Sequence, residues 1–267
     1  MLETLRPGAT AERARIALFD FDGTISTIRS GWIDVMVPMM VETLLDLKSG
    51  ESEQDLEAIV REYVGQLTGR QTIYQMIEFA DQISKRGGTP QDPMVYKHRY
   101  LELLWETIKD RVDDLRHARC VPEKFMVPGT MNLLNALRDR GLTMYLASGT
   151  DDAYMKEEAR LLRVTPYFTG GVFGALDDYK NFSKAILIQR IIGSAEARGE
   201  EFLGFGDGYV EIENVNQVGG VTVGVASDEP DCLKVDQWKR NRLAGVGAHY
   251  IVPNFLDPQL LSTLFPT

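Results

Sequence analysis

The chain has 267 residues, 44% of them hydrophobic and 25% charged, a composition that excludes a disordered protein. Its 39 acidic against 29 basic side chains give a formal net charge of −10, which repels phosphate backbones and anionic lipid and argues against nucleic acid or a membrane surface as partner. The two cysteines, Cys120 and Cys232, stand in no CxxC or Cys/His cluster, which excludes zinc and iron–sulfur centres and suits a reducing cytoplasm.

The first 15 residues carry Glu3 and Glu12 and lack the apolar run of a signal peptide. Residues 15–21, Arg-Ile-Ala-Leu-Phe-Asp-Phe, form a short apolar run closing on Asp20; they predict a buried parallel strand, with Gly23 supplying the turn that follows. From 27 to 114 no strand pattern occurs. Apolar residues recur there at helical spacing, as in Ile33, Met36, Val37, Met40, Val41 and Leu44, with turn signals at 49–50, 68–69 and 86–93. The most apolar part, 32–47, is broken by Asp34, Pro38, Glu42 and Asp46 and is too short and polar to span a membrane. Further strand-then-turn units follow at 142–147, 202–205, 221–226 and 250–252, with helical patterns at 130–140, 152–163, 183–192 and 211–218. This alternation predicts an α/β fold with a Rossmann-like parallel sheet, built from residues 1–25 and 128–267 and interrupted by an all-helical insertion over 26–127. Hinges are expected at 26–31 and 121–129. Residues 238–242, Trp-Lys-Arg-Asn-Arg, read as a basic, solvated loop beside the sheet.

Ligands of open parallel sheets bind at the carboxyl ends of the strands. The polar residues expected there are Asp20, Asp22, Thr24, Ser148, Thr150, Asp207 and Asp228. Asp20 and Asp22 leave one strand together, and Asp207 ends a neighbouring one. Carboxylates so close destabilise the fold unless a cation lies between them. Oxygen donors of this kind suit Mg²⁺, which keeps several waters and commonly works on phosphates. Taken singly, each piece has a plain structural reading: Asp22-Gly23 as turn chemistry, Ser148 as a helix N-cap, Lys184 as a surface lysine. Gly204-x-Gly206 is no dinucleotide loop, because Tyr209 stands in the third glycine's place and Asp207 would face a pyrophosphate. Their order along the chain is what gives the pieces joint meaning.

That ordered set resembles the haloacid dehalogenase superfamily. Its DxDGT motif stands here as Asp20-Phe21-Asp22-Gly23-Thr24, and its apolar strand ending in Ser or Thr as Tyr145-Leu146-Ala147-Ser148-Gly149-Thr150. Lys184 opens an amphipathic helix 23 positions ahead of Asp207, with Lys180 as a rival, and Gly206-Asp207-Gly208-Tyr209-Val210-Glu211 matches GDGxxD or GDGxxE. The likeness covers the α/β part of the chain, and the helical insertion has the size and place of the family's C1 cap, as in phosphoglycolate phosphatase-like members.

The resemblance implies a Mg²⁺-dependent phosphatase acting on a small phosphorylated metabolite through an aspartyl phosphate. Asp20 would be the nucleophile and Asp22 the general acid and base. Thr24, Ser148, Gly149 and Lys184 would hold the phosphoryl group. The metal would sit on Asp20, the Asp22 carbonyl and Asp207, with Glu211 orienting Asp207 or a metal-bound water. Arg70 and Gln71, in a polar loop between two insertion helices, are candidate substrate contacts. Dehalogenation is disfavoured, because Asp22 serves an oxygen leaving group that a halide does not need. A phosphonatase would need an insertion lysine, and no spacing singles one out among Lys48, Lys85, Lys97 and Lys109. A sugar phosphomutase and a non-catalytic phosphate-binding regulatory module stay open.

Overall fold

The strand Ile16–Phe19 (β2) is buried along its whole length. Its side chains alternate between two cores: Ile16 and Leu18 join one apolar cluster, Ala17 and Phe19 the other. A strand with both faces covered has no need of alternating polarity, which is why its sequence reads as one apolar run. The computed structural model describes residues 1–176, 184–194 and 197–266. Besides β2 and a two-residue β1 (Glu3–Thr4), the sheet holds β3 (Thr143–Asp151), β4 (Gly171–Ala175), β5 (Phe202–Gly206), β6 (Val221–Val225) and β7 (Tyr250–Val252). Their order is β1-β7-β6-β5-β2-β3-β4, parallel throughout except for β1 against β7.

Register decides what the edge of this sheet presents. Phe19 lies opposite Leu146 of β3 and Phe205 of β5. The residues just beyond it, Asp20 to Asp22, therefore emerge between Ser148–Thr150 on one side and Gly206–Asp207 on the other. The stack of Phe19 on Phe205, with ring centroids 4.5 Å apart, packs the sheet beneath that edge.

Between β2 and residue 127 come four α-helices: α1 (Ile33–Leu45), α2 (Glu53–Leu67), α3 (Thr72–Lys85) and α4 (Pro93–Arg116). Ser52 caps α2 through Asp55 N–H, and Asp92 caps α4 through Met94 N–H with Pro93 in the first turn. Their apolar stripes, among them Met36, Met40, Val60, Met76, Phe79 and Leu104, belong to the same cluster as Phe19 and Phe205. Among the described residues no helix is long and apolar enough to cross a membrane.

α5 (Thr130–Asp139) leads into β3, and beyond β3 the described residues form α6 (Asp152–Leu161), α7 (Lys184–Ser194), α8 (Tyr209–Gln217), α9 (Gln237–Gly245) and α10 (Gln259–Leu264). Two expectations need correction, and one strand has no counterpart among them. The strand expected over 142–147 runs on to Asp151, because β4, a short strand with weak apolar patterning, extends the pairing through a register shift. The basic stretch 238–242 is not a loop but part of α9, capped by Asp236, which accepts Lys239 N–H at 2.8 Å. β1 is too short to leave a periodic signal and exists by pairing with β7.

The segment joining β2 to α1 is fixed by polar contacts. Arg29 is buried and forks onto Glu158 of α6, Nη2 to Oε1 at 2.7 Å and Nε to Oε2 at 3.2 Å. Arg111 of α4 donates to the Ile28 and Ser30 carbonyls, each at 2.8 Å. Burial pushes the Glu158 carboxyl above its ordinary range against the pull of Arg29. Breaking such a pair strands a buried charge. Arg29→Met should therefore lower stability by about 3 kcal/mol, read as a reduced urea midpoint, and adding Glu158→Leu should recover most of the loss. An unchanged midpoint in the single variant would show the pair to be dispensable.

Candidate active site

The turn after β2 is held by the main chain. Asp20 N–H continues the ladder to Phe205 O at 2.9 Å, while the N–H groups of Ile25 and Ser26 converge on Phe21 O at 2.8 and 2.9 Å. Gly23 has a φ of +72°, and an added Cβ would overlap the Asp207 carboxylate, so both conformation and space require glycine. Asp20 is almost fully buried, and its Oδ1 accepts the Phe21 N–H at 2.7 Å. Thr24 is buried under the site, where its Oγ1 accepts the Asp207 N–H at 2.9 Å. Its hydroxyl ties the two loops together.

Asp22 is oriented from β3. Its Oδ2 accepts from Ser148 Oγ at 3.0 Å and from Thr150 Oγ1 at 2.8 Å. Its Oδ1 is buried without a hydrogen-bond partner among the described residues, and the nearest cation, Arg29 Nε, lies 3.9 Å away. One oxygen is thus fixed by two hydroxyls, and the other lies buried beside the Arg29 guanidinium. Ser148 faces Asp22, while Gly149 and Thr150 line the cleft.

Asp207 touches a group that the sequence reading missed. Lys239 of α9 reaches Asp207 Oδ2 at 3.0 Å and Glu229 Oε1 at 2.6 Å, and Ser30 Oγ donates to Glu229 Oε2 at 2.7 Å. Burial lowers the proton affinity of Lys239, but Asp207 and Glu229 outweigh it and raise it, so the ammonium stays charged. The acidic cluster therefore has a cation supplied by the protein, so the clustered carboxylates do not by themselves demand a metal. Glu229 follows the carboxyl end of β6, so the strand-end rule could have found it. Lys239 had no local signal, because its role depends on where α9 docks. Asp228, named by the same rule, instead closes a surface loop by accepting Lys234 N–H at 2.7 Å.

The remaining expected residues divide. Glu211, in the first turn of α8, is fully buried, and a Cβ on Gly206 would come within 3.0 Å of its Oε2. Lys184 opens α7, but its side chain, like the whole of Lys180, lies outside the described residues. Arg70, between α2 and α3, lines the cleft, and its Nε donates to the Tyr209 hydroxyl. Its neighbour Gln71 is buried. Asp20, Asp22, Gly149, Asp207 and Arg70 share this cleft with Trp32, Met36 and Tyr100 of the insertion. The space between these residues, open solvent at the mouth included, is about 790 Å³.

Among the described residues no three His, Cys, Asp or Glu side chains are gathered to hold a metal alone. Asp20, Asp22 and Asp207 line one cleft, and their carboxylate and main-chain carbonyl oxygens are hard donors. That set fits Mg²⁺, which is commonly held by one or two carboxylates plus substrate oxygens.

Comparison with known proteins bears on the fold and the family. No curated protein matches the sequence. Solved structures share the fold at low identity. A phosphonoacetaldehyde hydrolase-like protein from Oleispira antarctica is 16% identical with a TM-score of 0.61, over 98% of this chain and 95% of that one. A β-phosphoglucomutase from Clostridium difficile is 12% identical with a TM-score of 0.60, over 94% and 97%. A predicted phosphoglycolate phosphatase from Haemophilus somnus 129PT is 14% identical with a TM-score of 0.57, over 92% and 96%. These likenesses establish architecture, since one fold hosts several chemistries. The model of the haloacid dehalogenase-like hydrolases matches residues 14–219, a span that contains Asp20, Asp22, Ser148 and Asp207, and the chain belongs to that family.

Proposed function

We propose that this hydrolase is a Mg²⁺-dependent phosphatase that removes the phosphoryl group from a small phosphorylated metabolite. The observation that carries the reading is the pairing of Asp20 with Asp22 at one strand end, with Asp22 clamped by Ser148 and Thr150 through a single oxygen. Two acids with separate surroundings suit separate tasks. Asp20 attacks phosphorus and forms the aspartyl phosphate as the P–O bond to the leaving group breaks. Asp22 gives its proton to the departing alkoxide and takes one back from the water that hydrolyses the intermediate. Asp20, the Asp22 carbonyl and Asp207 would hold Mg²⁺, which would supply positive charge to the phosphoryl oxygens. Gly149 at the end of β3 and Lys184 at the head of α7 are assigned to the phosphoryl group, Lys184 for its charge. The inserted helices act as a cap that excludes water and meets the leaving group through Arg70.

Of the insertion lysines a phosphonatase would need, Lys97 is the one that reaches the core, and its Nζ pairs with Asp151 Oδ1 at 2.6 Å. An ammonium committed to that bond is poorly placed as an imine-forming amine, which favours the phosphatase. The free thiols of Cys120 and Cys232 accord with a reducing, cytoplasmic compartment.

Release of inorganic phosphate from p-nitrophenyl phosphate and from a panel of phosphorylated metabolites tests the reading. Asp20→Asn should reduce release to background with the fold retained, and turnover near wild type would refute the nucleophile. Asp22→Asn should slow alkyl phosphates by about 10²–10⁴-fold and the nitrophenyl ester much less; equal slowing would remove the acid. EDTA should silence the enzyme and Mg²⁺ restore it, whereas activity indifferent to both would take the metal out of the scheme. Gly23→Ala should cost about 1–2 kcal/mol in backbone strain and most of the activity through a displaced Asp207.

A further inference from the structure

The basic stretch that sequence reading left to solvent sits on the seam between the α/β part and the inserted helices. Trp238 and Arg242 lie one turn apart on α9 and so share a face. Arg242 donates to the carbonyls of Gly65, Gln66 (2.6 Å) and Thr68 (2.9 Å). These lie at the C-terminal end of α2, where the dipole favours a cation; of the three, Gly65 O also accepts the Thr68 N–H at 3.1 Å. α2 has no basic residue of its own in its last turn, and Arg242 provides that charge from a distant part of the chain. Its guanidinium also lies over the rings of Tyr209 and Trp238, at 4.9 and 5.3 Å from their centroids.

Shape reinforces the contact. A Cβ on Gly65 would come within 2.5 Å of the Trp238 ring, so the indole rests directly on the α2 backbone. Just beyond, the main chains of Gly69 and Gly208 touch: a Cβ on Gly208 would be 2.7 Å from Gly69 Cα. Glycine at both places lets the α2–α3 loop settle on the residue that follows Asp207. Tyr209 then joins the two sides, its hydroxyl accepting from Arg70 while its ring receives Arg242.

We infer that Arg242 and Trp238 are positioning residues that latch the α2–α3 loop, and with it Arg70, onto the rim of the active site. The latch stands on these contacts alone; its consequence for turnover rests on the phosphatase reading above. Releasing it would leave the chemical groups of the α/β part in place and let Arg70 leave the cleft.

Two readouts test this. The first is hydrogen–deuterium exchange of the substrate-free protein. Arg242→Met should speed exchange of the 68–71 amides about tenfold or more, the loss expected for charge-assisted hydrogen bonds, with β5 unchanged. Gly65→Ala should do the same by displacing Trp238, although alanine is the better former inside a helix and the urea midpoint should not fall. Arg242→Lys, which can donate but not stack, should fall between wild type and Arg242→Met. The second readout is steady-state kinetics with p-nitrophenyl phosphate, where Arg242→Met should raise KM several-fold with kcat within about twofold, the mark of lost ground-state positioning. Unchanged exchange in both Arg242→Met and Gly65→Ala overturns the latch. Faster exchange with an unmoved KM overturns its role in positioning substrate. Faster exchange in a chain that hydrolyses no phosphomonoester upholds the latch and sinks the phosphatase reading instead.

Discussion

Parallel pairing of β2 between β3 and β5 is the constraint from which the site follows. Since Phe19 lies level with Leu146 and Phe205, the chain segments leaving the three strands must meet at one edge. Asp20 remains in the ladder through its own N–H, so the nucleophile candidate is held by the sheet and not by a free loop. Thr24 then ties the Asp20–Thr24 turn to the Asp207 amide, and Ser148 and Thr150 tie Asp22 to β3. Each functional side chain is thereby set by backbone that has little freedom to move, which is the condition for preorganised chemistry.

The cost of this convergence is electrostatic, and the protein meets it with two buried cations. Lys239 compensates Asp207 and Glu229 on one flank, and Arg29, itself balanced by Glu158, stands near Asp22 on the other. Both bonds also join separate parts of the chain. Arg29 belongs to the segment leading into the insertion, and Ser30 beside it holds Glu229. On the Arg29 flank, the charge that makes the acidic edge tolerable also anchors the segment leading into the inserted helices. Single-residue changes there act on stability and geometry together.

The insertion contributes the other wall of the cleft, and its placement is specific. Glycines 65, 69 and 208 allow backbone-to-backbone and ring-to-backbone contact where any side chain would hold the layers apart. Arg242 compensates a helix end whose own sequence supplies no charge. At this end of α2 the seam is polar and stacked, with Arg242 on the helix carbonyls and over the Tyr209 and Trp238 rings.

Local sequence determined much of this. The apolar run ending in Asp20, the helical periodicity between 27 and 114, and the turn glycines at the strand ends each fixed an element through short-range physics: burial on two faces, one apolar stripe per helix, and a positive φ at Gly23. From those elements followed the parallel α/β fold and the approach of Asp20, Asp22 and Asp207 to one edge. Tertiary structure alone decided the rest. It showed Ser148 and Thr150 turned toward Asp22, Lys239 as the partner of Asp207, β1 and the end of β3 as products of pairing, and Trp238 with Arg242 as contacts to α2. These depend on side chains far apart in sequence meeting across packed layers. No periodicity or spacing records that, because the free energy of such contacts arises only once the chain has folded back on itself.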